Sequence, residues 1–224
     1  MEKISAQSRH VGASSPKGEE RVVEILNAAR EVLIDKGYAG LSMRKIAQRA
    51  GISIGNLSYY YKTKEAILHD LIDAVVEAYF EVWADIIQED GKSDSEKLHK
   101  ILEQVVLDLG ERHTTHFFPE LWALANHDEH AAKNVSHMYE RAWEIIGDLI
   151  GRINPSLTAE NRRLVTMFIG TSIEGFTPFI GYKKPFAEDR KVFAGFAPKV
   201  FVGLVERVTN EDIGGQVIQM TAAK

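Results

Sequence analysis

The chain is expected to be all-α, and three observations predict it. Apolar residues recur at spacings of three and four along most of its length. No strand-like alternation runs long enough to stand as part of a sheet. Glycines, prolines and capping residues interrupt the apolar stripes at helix-like intervals. The architecture that follows has about nine helices: a small N-terminal head of three helices and a larger helical C-terminal body. The expected divisions are a flexible tail over 1–18, the head over 19–65, the body over 66–210 and a polar tail over 211–224.

The first helix is predicted from Glu19 to Lys36. Val22, Ile25, Leu26, Ala29, Val32 and Leu33 form its stripe, and Gly37 stands where a C-terminal glycine belongs. Tyr38 and Leu41 follow as core contacts, and Ser42 is placed to cap the next helix. A short helix then carries Met43, Ile46, Ala47 and Ala50 inward. Gly51 breaks it, Ser53 caps a second short helix, and that helix brings Leu57 inward before a run of three tyrosines. Helix, glycine turn and helix with small polar residues outside form a helix-turn-helix, the motif that places its second helix in a DNA major groove. Two short helices cannot close a core, and the first helix supplies the missing face.

A long helix is predicted from about Lys64 to Gln88, with Ile67, Leu68, Leu71, Val75, Tyr79, Phe80, Trp83, Ile86 and Ile87 on its apolar side. Its first half can complete the head, and its second half must belong to another core, so one rigid helix joins the two. Further helices are expected near 95–112, 117–126, 128–151, 158–180 and 189–209, with breaks at Pro119, Gly151/Pro155 and Gly181/Pro185. Thr158 is placed as a cap. The last helix is apolar on more than one face, through Val192, Phe193, Phe196, Val200, Phe201, Leu204, Val205 and Val208. A second copy of the chain is the economical partner for so broad a stripe. The interface expected for that homodimer holds Val165, Phe168, Phe193, Phe196, Val200, Phe201 and Leu204.

Charge is distributed unevenly. The whole chain carries −5, yet residues 1–70 hold eleven basic and eight acidic side chains, leaving a head of +3 on a body of −8. That split allows the head to meet phosphates. There is no cysteine, which excludes disulfides, thiolate metal sites and a cysteine nucleophile. No signal-peptide core and no apolar run of transmembrane length occurs, so a cytoplasmic protein without a membrane role is expected. Nucleophile-elbow, phosphate-loop and HExxH motifs are absent, and neither an enzyme, nor a cofactor, nor a metal site is expected. His113, His116, His127, His130 and His137 fall in one acidic segment and read as solvated polar groups.

Candidate DNA contacts gather in the helix-turn-helix. Asn56 can offer amide groups to an adenine edge, Tyr59 a hydroxyl or a ring face, and Ser58 a hydroxyl, with Ile54 beside them. Ser42 and Lys64 stand at helix starts suited to phosphate, with Tyr60 as a hydroxyl donor and Arg44 and Lys45 as nearby cations. In the body, Phe80, Trp83, Phe117, Trp122, Met138, Trp143, Met167 and Phe168 could line an apolar ligand cavity, as could Phe118 and Phe176. His116, Asn126, Asn134 and Glu174 are the possible polar contacts inside it.

Residues 21–68 resemble the DNA-binding domain of the TetR family of bacterial one-component regulators. RVVEILNAAREVLIDKGY resembles that family's first helix, and LSMRKIAQRAGIS its second helix and turn. GNLSYYYKTKEAIL resembles its recognition helix and the start of helix four. The resemblance implies an Ω-shaped homodimer with a four-helix interface, bound to a palindromic operator as a repressor and released when a small, largely apolar ligand enters the body. By carry-over, Ser42, Tyr60 and Lys64 match phosphate-contacting positions, and Ile54, Asn56, Ser58 and Tyr59 match positions at or near base edges. Ile54, Ser58 and Tyr59 depart from the basic, aromatic and histidine residues common there, so the operator sequence does not carry over. The competing readings are an effector-independent DNA-binding protein with a filled body, or an all-helical enzyme or carrier.

Overall fold

The computed structural model describes residues 16–214; the expectations for 1–15 and 215–224 lie outside the described residues. Among those described, every regular element is helical. Helix α1 (Pro16–Gly40) is followed by α2 (Met43–Arg49), α3 (Ile54–Tyr60) and α4 (Lys64–Gln88). The body continues through α5 (Asp94–Asp108), α6 (Arg112–Ala125), α7 (Glu129–Ile153) and α8 (Ala159–Glu174). A short α9 (Thr177–Ile180), a single 3-10 turn, α10 (Arg190–Arg207) and a short α11 (Asn210–Gly214) complete the described chain.

The caps explain most of these boundaries. The Ser42, Ser53 and Thr63 hydroxyls accept from the amides of Lys45, Asn56 and Ala66, starting α2, α3 and α4. Ser93 and Glu96 form a reciprocal capping box at α5, Asp128 caps α7, and Thr158 caps α8 as its sequence position predicts. Gly51 takes φ 66° in the turn between α2 and α3, a left-handed conformation that strains any residue with a Cβ.

Four boundaries differ from expectation. Helix α1 begins at Pro16, whose fixed φ and missing N–H suit a first turn, so residues 16–18 are not part of a tail. Gly37 kinks α1 at φ 65°, ψ 175° rather than ending it, and the helix resumes to Gly40. Pro119 lies within α6, and the break falls instead at Leu109–Glu111. The helix expected over 158–180 ends at Glu174; Gly175 caps it, and α9 follows with a proline in its first turn.

The core is continuous from head to body. In the head, Ile25, Leu26, Ile46, Leu57, Tyr61, Ile67 and Leu71 are buried together, and Tyr61 donates its hydroxyl to Asp70 at 3.1 Å. Helix α4 carries that core onward through Val75, Val76, Phe80, Trp83 and Ile86 into α5 and α7. Far from the head, the buried Asn154 amide donates to the Val205 and Val208 carbonyls at 2.9 Å, tying the end of α7 to the end of α10. The Asn154 side-chain carbonyl in turn accepts from the Ser156 hydroxyl at 2.6 Å, so this buried amide is satisfied on both sides.

Candidate functional site

Two sites stand at opposite ends of α4. The first is the outer face of α3. Leu57 and the following Tyr61 are fully buried, and a helix that anchors one side must turn the other to solvent. Ile54 is 52% and Tyr59 71% exposed, large side chains turned to solvent. Asn56 is also exposed, whereas Ser58 and Tyr60 are half-buried. The Tyr59 and Tyr60 rings meet edge to face at 5.1 Å, so the two tyrosines diverge while Tyr61 points inward.

The cations around this face are differently held. Arg44 and Lys45 are exposed, and the Lys45 ammonium donates to the Gly40 carbonyl at 2.9 Å. Lys62, which the sequence reading passed over, donates to the Ser58 carbonyl at 2.9 Å and stands just past α3. The Lys64 ammonium lies 4.2 Å from the Tyr38 ring centroid, a cation–π contact that pre-places it at the start of α4.

The head joins the body through α1. Arg49 of α2 donates to Asp35 at 2.7 Å, and Arg112 of α6 donates to the same carboxylate and to Glu31 at 3.3 Å. The hydrogen bonds from Arg49 and then Arg112 hold the Asp35 carboxyl below its ordinary value. Beside it, the kink at Gly37 frees the Tyr38 amide, which donates to Glu120 of α6 at 3.0 Å. A Cβ at Gly37 would stand 3.1 Å from that carboxylate, in a φ range that already excludes it.

The second site is a cavity of about 110 Å³ inside the body. Helix α4 contributes Val76, Tyr79, Phe80 and Trp83, and α5 contributes Leu102, Val105 and Leu109. Thr114 and Phe118 come from α6; Met138, Tyr139, Ala142, Trp143 and Ile146 from α7; Gly170, Ile173 and Glu174 from α8. Helix α8 can come this close because residue 170 has no side chain: a Cβ there would stand 2.8 Å from the Trp143 indole nitrogen.

The polar groups of the cavity form two chains. The Trp122 indole N–H donates to the Tyr139 hydroxyl at 2.8 Å, and Tyr139 donates to Glu174 Oε1 at 2.9 Å. Burial pushes the Glu174 carboxyl up to about 7, with the bond from Tyr139 pulling the other way. On the facing wall, Tyr79 donates to Asp108, which also accepts from Thr114 at 2.8 Å. Burial above all, and then the Asp108 charge, raise the Tyr79 phenol well above its ordinary value.

Of the residues expected to line this cavity, Phe80, Trp83, Met138 and Trp143 do, and so do Phe118 and Glu174. The others do not. Phe117 is buried one residue round α6, edge to face with Phe118. Trp122 stands behind the wall and reaches it only through Tyr139. Asn126 caps the exposed end of α6, and Asn134 lies beside Tyr38 and His69 instead. His116 bonds the Arg112 carbonyl at 2.8 Å, and Phe176 packs on Phe193. Met167 precedes the cavity by a turn, and Phe168, 56% exposed, points out of the protomer.

The expected interface residues divide likewise. Phe168, Phe196 and Val200 are exposed, and Val192, Phe179 and Phe186 join them. Val165 and Phe201 are buried in their own chain's core, and Phe193 and Leu204 are half-buried. Among the described residues, no three potential ligands converge on a metal position, and no helix is long and apolar enough to cross a membrane.

Comparison with known proteins agrees with the head. The family described as bacterial regulatory proteins, tetR family, matches residues 25–71. An HTH-type transcriptional regulator in the dhlA 5' region of Xanthobacter autotrophicus is 24% identical over 170 residues, 72% of this chain and 80% of its own. The HTH-type transcriptional regulator EthR of Mycobacterium tuberculosis is 39% identical over 61 residues, 27% of this chain and 28% of EthR. In fold, a TetR transcription regulator from Haloarcula marismortui aligns with TM-score 0.68 at 20% identity, over 82% of this chain and 97% of that one. FadR from Bacillus subtilis, solved with stearoyl-CoA, aligns with TM-score 0.63 at 21% identity, over 81% and 96%. These relatives are regulators of transcription and not enzymes. Residues 25–71 thus match the DNA-binding domain of the tetR family, and with this helix-turn-helix reader on an all-α body the chain is a DNA-binding transcriptional regulator.

Proposed function

We propose that the chain is a homodimeric repressor that leaves a palindromic operator when a small, largely apolar ligand fills its body cavity. One observation carries this reading: α4 serves both sites. Its first turns, Ile67 to Ile72, are buried against the reader, and its fourth to sixth turns supply Val76, Tyr79, Phe80 and Trp83 to the cavity wall. A ligand that parts the wall must move α4, and α4 cannot move without moving the reader. The Asp35 and Glu120 contacts of α1 give α6 a second hold on the head. The reader would be Asn56, Tyr59, Ser58 and Ile54 at base edges, with Ser42, Arg44, Lys45, Tyr60 and Lys64 on the phosphates. Separate reader and body units, near 19–65 and 66–210, would then tilt against each other on a shared core.

A filled, effector-independent body is the second reading, and the cavity disfavours it. The energetics are modest: a ligand that weakens operator binding 100-fold must prefer the released arrangement by about 2.8 kcal/mol. The reader is tested by binding to promoter DNA upstream of the chain's own gene. Asn56→Ala should cost about 1–3 kcal/mol on one preferred sequence and relax the choice of base. A Lys64→Ala, Tyr60→Ala pair should weaken all sequences alike and flatten the salt dependence. Wild-type binding in both variants would overturn the contact assignment.

A further inference from the structure

The cavity has an unusual balance of charge. Six of its lining side chains are aromatic: Tyr79, Phe80, Trp83, Phe118, Tyr139 and Trp143. One is a carboxyl, Glu174, and no lysine, arginine or histidine lines it. Two basic groups stand behind that lining, Arg141 at Phe80 and Arg30 near Tyr79. Arg141 lies over the Phe80 ring and pairs with Glu77, and Arg30 of α1 bonds Asn27. A second acid, Asp108, stands behind Tyr79 and Thr114.

An anionic ligand would meet no counter-charge here and would lie against a carboxyl. An aromatic wall attracts cations through its ring faces, and a carboxylate inside an apolar site gains most from a partner of opposite charge. The volume bounds the size: a cavity of ~150 Å³ is known to admit one benzene ring, so about 110 Å³ suits a compound no larger than that ring. Resting on the ligand-controlled reading above, we infer that the effector is a small organic cation, an aromatic or alkyl amine or quaternary ammonium, held between the aromatic rings with its charge at Glu174.

Tetramethylammonium, its uncharged near-isostere tert-butanol and the anion methanesulfonate form a matched set of small probes. Binding to the full chain can be followed at pH 8 by calorimetry and by the fluorescence of Trp83 and Trp143. The cation should bind at least tenfold more tightly than the neutral isostere, and the anion should not bind measurably. Glu174→Gln, nearly isosteric, should lower cation affinity at least tenfold and leave the neutral compound within twofold. In the wild-type chain, cation affinity should rise from pH 6 to pH 8 as Glu174 deprotonates. The neighbouring groups stay fixed over that range. Burial raises the Tyr139 and Tyr79 phenols further above this range, Arg30 remains charged, and burial pushes the His113 imidazole downward. Anion binding as tight as cation binding, a cation affinity indifferent to both Glu174→Gln and pH, or no binding by any probe would overturn the assignment. Operator release is read separately. A cation that binds through Glu174 without releasing DNA leaves the ligand class standing and removes ligand control. An anion that releases DNA does the reverse.

Discussion

Glu174 shows how one side chain can set a chemistry that its helix alone does not reveal. A carboxyl held among aromatic rings, with the Tyr139 hydroxyl as its donor, is costly when charged, and the cost has a sign that can be measured. Because the folded carboxyl titrates near 7 and a free one near 4.5, the folded state holds more protons between those values. Stability therefore falls as pH rises through that window, by on the order of 3 kcal/mol once the group is fully ionised. Thermal melts of the ligand-free chain should give a lower Tm at pH 8 than at pH 5, with Glu174→Gln removing most of the difference. An unchanged pH profile in that variant would place the charge in water rather than in the cavity. The sequence exposes only part of this. Phe80, Trp83 and Met138 follow from the apolar stripes, because helical period tells which face turns inward. It does not tell where facing helices leave a gap, so Tyr79 reads as part of an apolar stripe, nothing singles out Tyr139, and Phe117 and Phe118 stand as equal candidates although only Phe118 lines the cavity.

At the scale of elements, the approach of α8 to α7 at Gly170 shapes the cavity. Gly170 lets α8 pack on the Trp143 indole, and this packing sets one wall of the cavity. Gly170→Ala should improve the intrinsic stability of α8 by about 1 kcal/mol, since alanine loses less backbone freedom in a helix. The new methyl, 2.8 Å from the indole nitrogen, must displace Trp143, a ring that forms part of the cavity wall. The expected outcome is a chain that folds and binds operator DNA normally yet responds to its effector at least tenfold less sensitively, read as DNA binding against ligand concentration. A full response would mean that the cavity is not where the effector sits. Helix existence was legible throughout, and the boundaries less so. Pro119 reads as a break because it lacks an N–H, but one lost hydrogen bond does not end a helix whose buried face, Thr115, Phe117 and Leu121, stays packed. In the other direction, α8 stops at Gly175 five residues before its apolar pattern does, because α9 must turn to bring the Tyr182 amide to the Leu109 carbonyl and the Thr115 hydroxyl.

For the molecule as a whole, the unpaired surface is as informative as the packed one. Phe168 on α8 and Val192, Phe196 and Val200 on α10 lie exposed along the two helices expected to face a second copy, with Phe179 and Phe186 between them. So much exposed aromatic surface on one protomer calls for cover, and a second copy meeting it by twofold symmetry would double the reader at the spacing a palindrome demands. Phe196 is the position to test, since it is 60% exposed and a charge there leaves the protomer's core intact, whereas Phe201 and Val165, buried at 7% and 5%, would confound dimer loss with unfolding. Phe196→Asp should sediment as a folded monomer at micromolar concentration while the wild type sediments as a dimer. Its affinity for a full operator should fall by two orders of magnitude or more, because each reader then binds its half-site alone, without the effective concentration that linkage supplies. Its affinity for an isolated half-site should stay unchanged. A variant that remains dimeric would move the interface off α8 and α10, and a monomer that binds the full operator normally would remove the need for two readers.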